Sequence, residues 1–244
     1  MTRIAAASIR IRDGDISANL AEMENAARRA KEAGAELCCF GECALQGFNC
    51  LDWHFEDDRI VGVSVESDPF RALCSLSREI GIDLLFGFIE REGESLYSSC
   101  ALLSGGRLFH LYRRVSRGWK EYGKTDGHYR EGDEILPFDY RGMRCLVALC
   151  GDIWDDTADR FRLSGIDLLL WPVYVCYSPV DWEGGIEAEY AEKAAEFAPK
   201  TVLINSIGTL DGNPDAFGGC AFFEDGKTSA RLPMNEEGIL LIDL

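Results

Sequence analysis

The chain has 244 residues, 47% of them hydrophobic, and a formal charge of −17. It can bury a large core, but it repels phosphate backbones and anionic lipid, which argues against nucleic-acid or membrane partners. No apolar run approaches the ~18 residues of a membrane span, and the apolar stretch at the N-terminus is too short for a secretory signal.

Residues 3–12 alternate apolar and polar side chains, the period of a strand. Over 17–34, Ala18, Leu20, Ala21, Met23, Ala26, Ala27 and Ala30 form one helical stripe. Ser17 gives a partial cap signal and Gly34 closes the helix. A strand over 36–40 ends in Gly41-Glu42-Cys43. The unit then recurs: a helix over 69–80, Gly81, and a strand over 82–89. Strands at 97–104 and 107–113 join at Gly105-Gly106 as a hairpin, and a long polar and aromatic loop covers 115–134. The apolar run 143–150 stops at Cys150-Gly151. Beyond it the pattern predicts a helix at 156–164, a strand at 166–171 and a helix at 186–198. Strands at 201–207 and 218–223, a turn at Asp225-Gly226 and a last strand at 238–242 complete the chain. Strands alternating with helices predict an α/β layered protein. No linker or change of composition divides it, so one domain is expected over 1–244.

Ten cysteines are scattered along the chain, and Cys38, Cys39, Cys145, Cys150 and Cys220 lie inside apolar runs. They read as reduced thiols of a cytoplasmic protein. No C-x-x-C pair occurs, and His54, His110 and His128 form no ligand-spaced set, so neither a metal nor a cofactor is expected.

Three polar groups fall at the ends of predicted strands, where α/β sheets collect their functional side chains. Glu42 ends one strand, Arg113 and Arg114 end another, and Cys150 ends a third. The glycine after Cys150 lets the chain bend and leaves peptide N–H groups near the sulfur. A buried core cysteine is the competing reading. Together, an acid, a cation and a thiol suit a hydrolase. The carboxylate takes the thiol proton and the thiolate attacks a carbonyl or nitrile carbon. The cation and N–H groups hold the oxyanion, and the same carboxylate then activates water. Glu42 alone reads equally as a solvated acid, and Arg114 as the partner of a surface carboxylate. Lys120 and Glu121 are adjacent loop charges. Asp152 reads as a structural carboxylate holding the turn through backbone N–H groups. Trp119, Trp154 and Tyr174 fall in or beside strand-end loops and are candidates to line a substrate pocket; core packing explains Trp154 equally well.

Four blocks carry a resemblance to a known family. They are Cys39-Phe40-Gly41-Glu42-Cys43, Tyr97-Ser98-Ser99 through Tyr112-Arg113-Arg114, Gly132-Asp133 through Cys150-Gly151-Asp152-Ile153-Trp154, and Asn205-Ser206-Ile207-Gly208 with Phe217-Gly218-Gly219. In this order they resemble the nitrilase superfamily, the carbon–nitrogen hydrolases, in its amidase-like branch. The resemblance implies a four-layer α-β-β-α sandwich and a Glu-Lys-Cys triad, with a second glutamate in the loop before the nucleophile. Glu42 carries over as general base, Cys150 as nucleophile and Glu121 as the candidate second glutamate. The lysine position holds Arg114, and the nearest lysine is Lys120. Arginine replaces the lysine as a fixed cation, or Lys120 folds back into the site, or the function of the lysine is lost. The resemblance also implies a homodimer or larger assembly, no cofactor, and hydrolysis of a small-molecule, non-peptide C–N bond, foremost an amide, through a thioester. A non-catalytic binding protein of the same fold and an acyltransferase are the alternatives.

Overall fold

The computed structural model describes residues 2–154, 156–210 and 212–244; Met1, at the head of the N-terminal stretch read above, lies outside them. In the first half, β1 (Arg3–Ser8), β2 (Leu37–Cys39) and β3 (Asp83–Glu92) run parallel, and β4 (Ser95–Ser104) and β5 (Arg107–Arg113) follow antiparallel. In the second half, β6 (Phe138–Tyr140) pairs antiparallel with β7 (Met143–Val147), which leads a parallel set with β8 (Leu168–Val173) and β9 (Lys200–Asn205). A small hairpin, β10 (Ile207–Leu210) and β11 (Asn213–Phe217), stands apart. Then β12 (Cys220–Glu224) and β13 (Lys227–Leu232) extend the second sheet, while β14 (Gly238–Asp243) returns to pair with β1. The two six-stranded orders are β14-β1-β2-β3-β4-β5 and β13-β12-β9-β8-β7-β6. Each has a parallel centre, one antiparallel strand on one side and two on the other.

Strand alternation decides what each face meets. Along β1, Ile4 and Ala6 enter the core between the sheets, with Leu37, Leu85, Leu146, Leu169 and Leu203. Ala5 and Ala7 point the other way, against the helices. Those helices are α1 (Ile16–Glu32) and α3 (Asp68–Ile80), which bury Met23, Ala26, Ala27, Ala30, Phe70 and Leu73. A short α2 (Phe55–Val61) lies between them in sequence. On the far side, one turn of α4 (Pro179–Asp181) and a π-helical segment (Trp182–Ile186) lead into α5 (Glu187–Ala195). The Tyr190 ring of α5 stacks on Trp171 of β8 at 5.0 Å. Helices thus cover both outer faces of a paired sheet core, the four-layer α-β-β-α sandwich expected.

Several local expectations need correction. Asp15, not Ser17, caps α1: its carboxylate accepts from the Ala18 N–H at 3.0 Å. The helix expected at 156–164 is a single 3-10 turn, Ala158–Phe161, in which only Ala158 and Phe161 are buried. Strand β7 stops at Val147, three residues before Cys150, because the chain must leave the sheet to enter a tight turn there. The segment 201–207 divides into β9 and β10, which lie in different sheets.

Candidate active site

Glu42 stands three residues beyond the end of β2 and is fully buried. Its backbone lies hard against β3: a Cβ at Gly87 would fall 2.6 Å from Glu42 Cα, so a side chain there would push the turn away. Oε1 of Glu42 accepts from Ser98 Oγ at 2.8 Å and from Arg114 Nη1 at 3.0 Å. Among the described residues Oε2 has no hydrogen-bond partner. Burying one carboxylate oxygen unpaired is costly, and it leaves that oxygen ready to accept a proton.

Arg114 stands one residue beyond β5 and is 3% exposed. Its Nε donates to Ser116 Oγ at 2.8 Å. Burial works against its charge, but the Glu42 carboxylate, helped by Cys150 and Asp152, outweighs that and pushes its pKa up. The Nη2 nitrogen lies against bare backbone: a Cβ at Gly151 would fall 2.7 Å from it. A side chain at 151 would displace this guanidinium from its place on Glu42.

Cys150 opens a 3-10 turn, Cys150–Ile153, with φ of 44°. That left-handed conformation is costly for a side chain, and it lifts the sulfur out of the line of β7. Sγ donates to the Tyr174 carbonyl at 3.8 Å, and the Cys150 carbonyl accepts from Trp171 Nε1 at 2.9 Å. Burial, then the adjoining Glu42 carboxylate, pushes the thiol up to about 12 against the pull of Arg114. At neutral pH the sulfur therefore rests as a thiol, paired with Glu42. Such a pair suits base-assisted attack, with the proton leaving as the sulfur moves, rather than a standing thiolate.

Asp152, also fully buried, joins the segments that carry Arg114 and Cys150. Its Oδ1 accepts from the N–H groups of Val115 (3.1 Å) and Ser116 (2.8 Å). Its Oδ2 accepts from Tyr112 Oη (2.5 Å) and the Leu149 N–H (2.8 Å). Burial pushes its pKa up, while Arg114 and these donors pull it down. Asn205 does similar work on the other side: it donates to the Val175 and Gly218 carbonyls, both at 3.1 Å, and accepts from the Val175 N–H at 3.3 Å. That fixes the strand end carrying the Tyr174 carbonyl.

Glu42, Arg114 and Cys150 thus converge. Lys120 and Glu121 lie apart from them: Lys120 Nζ donates to the Tyr129 carbonyl at 2.5 Å and pairs with Glu131 at 2.9 Å, and exposed Glu121 pairs with Lys124 at 2.9 Å. Trp119 is buried and lines a cleft with Phe48, Asn49, Trp53 and Leu210, and its Nε1 has no partner among the described residues. The Tyr174 ring stacks on Phe48 at 4.9 Å and its hydroxyl donates to Asp215 at 2.9 Å. Trp154 is 42% exposed and packs 5.0 Å from the Tyr190 ring. Sequence reading did not single out Ser98, Ser116 or Tyr112. Ser98 and Tyr112 stood inside a quoted block, but nothing local marked their partners. Among the described residues no cluster of three or more His, Cys, Asp or Glu is placed to hold a metal ion, and no helix is long and apolar enough to cross a membrane.

Comparison with known proteins sets this geometry in context. A glutamine-dependent NAD(+) synthetase of Thermotoga maritima is 26% identical over 164 residues, 66% of this chain, which spans only 27% of the synthetase. An arylacetonitrilase of Aspergillus niger is 27% identical over 241 residues, covering 86% of this chain and 71% of that protein. Among solved structures, a Nesterenkonia amidase of the nitrilase superfamily superposes with a TM-score of 0.79 at 22% identity, over 100% of this chain and 90% of that one. The sequence profile described as carbon-nitrogen hydrolase matches residues 3–244. With that match spanning nearly its whole length, the chain belongs to the carbon–nitrogen hydrolase family, within the nitrilase superfamily.

Proposed function

We propose that this chain hydrolyses a small-molecule, non-peptide C–N bond, foremost that of an amide, through a thioester on Cys150. The observation that carries the reading is the buried Glu42 carboxylate beside the Cys150 thiol, with Arg114 fixed on Oε1 and Oε2 unpartnered among the described residues. Glu42 Oε2 takes the thiol proton as Sγ attacks the amide carbon. Arg114 Nη2 and backbone N–H groups at the Cys150 turn hold the oxyanion. Glu42 then gives its proton to the departing amine, and the C–N bond breaks. Water attacks the thioester, Glu42 takes its proton, and the carboxylic acid leaves with the thiol restored. Of the two cations named from sequence, we assign this role to Arg114, whose charge is fixed. Trp119, Lys120 and Glu121 then border the substrate cleft, with Tyr174 beyond Phe48 and Trp154 nearer the helical face.

An amide substrate is supported by the Nesterenkonia amidase, which is similar over the whole of this chain. The direct test is intact-mass detection of an acyl adduct on Cys150 across acetamide, propionamide, phenylacetamide and glutamine. Adducts are expected in the wild type, none in Cys150→Ala, and little turnover in Arg114→Ala. A Cys150→Ala protein with full activity would remove the mechanism. Arginine at the family's lysine position favours a second reading, a binding protein that retains the fold without turnover. Calorimetric binding of an amide with no adduct and no product would select it.

A further inference from the structure

We infer that Ser98 is a positioning residue that selects which oxygen of Glu42 acts as the base. The inference rests on the hydrolase reading above and deepens it. Ser98 lies on β4, 1% exposed, opposite Ile89 of β3. It grips both partners of the buried ion pair. Its hydroxyl donates to Glu42 Oε1 at 2.8 Å, and its carbonyl accepts from the Arg114 N–H at 2.8 Å. Arg114 Nη1 donates to that same Oε1. Two donors on one oxygen matter because the terminal torsion of a glutamate is broad and roughly two-fold. Arg114 alone satisfies either oxygen equally well. With Ser98 added, the carboxylate plane is pinned, and Oε2 is the oxygen left without a partner among the described residues. The Cys43 thiol, next in the chain and also buried, adjoins Ser98 but offers only a weak donor.

The test is a double-mutant cycle read by alkylation of Cys150 with iodoacetamide, followed by peptide mapping, alongside amide turnover. Ser98→Ala should slow alkylation and lower kcat about tenfold, the loss expected for one hydrogen bond to a charged group, with KM unchanged. Ser98→Thr, which keeps the hydroxyl, should restore most of both. In a Glu42→Gln background, Ser98→Ala should have no further effect on alkylation. An equal loss in both backgrounds overturns the inference, as does a Glu42→Gln protein alkylated at the wild-type rate. Should Ser98→Ala fail to fold, Ser98→Cys, close in size and a poor donor, replaces it. Absence of turnover on every amide would count against the hydrolase reading alone, since the alkylation cycle needs no substrate.

Discussion

A non-glycine residue at φ of 44° places the sulfur of Cys150 where it is. Left-handed backbone costs an L side chain about 1–2 kcal/mol, and here the surrounding bonds hold it: Trp171 Nε1 on the Cys150 carbonyl, and the four donors on Asp152 two residues later. Removing the sulfur and removing the Cβ therefore differ. Cys150→Ala keeps the strained side chain and Cys150→Gly releases it. Both variants should be inactive, but Cys150→Gly should be the more stable by about 1 kcal/mol in urea denaturation. The opposite order would show that the turn is relaxed and that the sulfur's position owes nothing to strain. Next to it, a Cβ at Gly151 would fall 2.7 Å from Arg114 Nη2 and shift the guanidinium.

Between elements, the Asp152 carboxylate is the joint. It binds the segment leaving β5 to the turn leaving β7, so the cation and the thiol keep one relative position. Asp152→Asn would set an NH2 group against donors that it now accepts from. A loss of about 3 kcal/mol in stability is expected, in line with buried donors left unpaired. Amide exchange at Val115 and Ser116 should quicken more than exchange in β3. Unchanged exchange at those two amides would mean that the joint lies elsewhere. This joint also marks the limit of sequence reading. The buried strands over 82–89 and 97–104 were legible as apolar runs, and α1 was legible from its alanine stripe. Helix α2 was not, because Glu56, Asp57, Asp58 and Arg59 crowd its seven residues and only Phe55 and Asp58 are buried. The outer strand β13, Lys-Thr-Ser-Ala-Arg-Leu, has no apolar alternation to betray it. Glu42 and Cys150 could be picked out because strand-end signals are local. Asp152 was legible as holding its own turn, as the Leu149 N–H bond does, but Ser98 and Asp152 could not be assigned their distant partners, which lie 56 and 36–40 residues away in the chain. Lys120 is close in sequence to Arg114, yet its ammonium is taken by Tyr129 and Glu131, a choice made by loop geometry.

Across the whole molecule, the pairing of two similarly ordered sheets creates an interior rich in thiols. Cys39, Cys100, Cys145 and Cys220 all lie in the core between or beside the sheets, and Cys150 packs at its edge. Burial pushes Cys145, Cys150 and Cys220 up to about 12 from an ordinary thiol value of 9.0, and lifts Cys38, Cys39, Cys43 and Cys100 as well. The folded protein therefore keeps protons that the unfolded chain releases. Protonation favours the fold, so this stabilisation is complete below about pH 9 and drains away as the pH climbs from there toward 12. Each such thiol steepens the fall by about 1.4 kcal/mol per pH unit. The urea midpoint should hardly move between about pH 7 and 8, then drop sharply between about pH 9.5 and 11. With a net charge of −17, general repulsion also grows in alkali, but salt screens repulsion between surface charges and leaves the cost of burial in place. The drop should therefore persist in ~1 M salt, and it should be shallower in a Cys145→Ala, Cys220→Ala protein even though that protein starts from lower stability. A midpoint that stays level to about pH 11, or a drop abolished by salt, would show that these thiols are not held protonated by the fold.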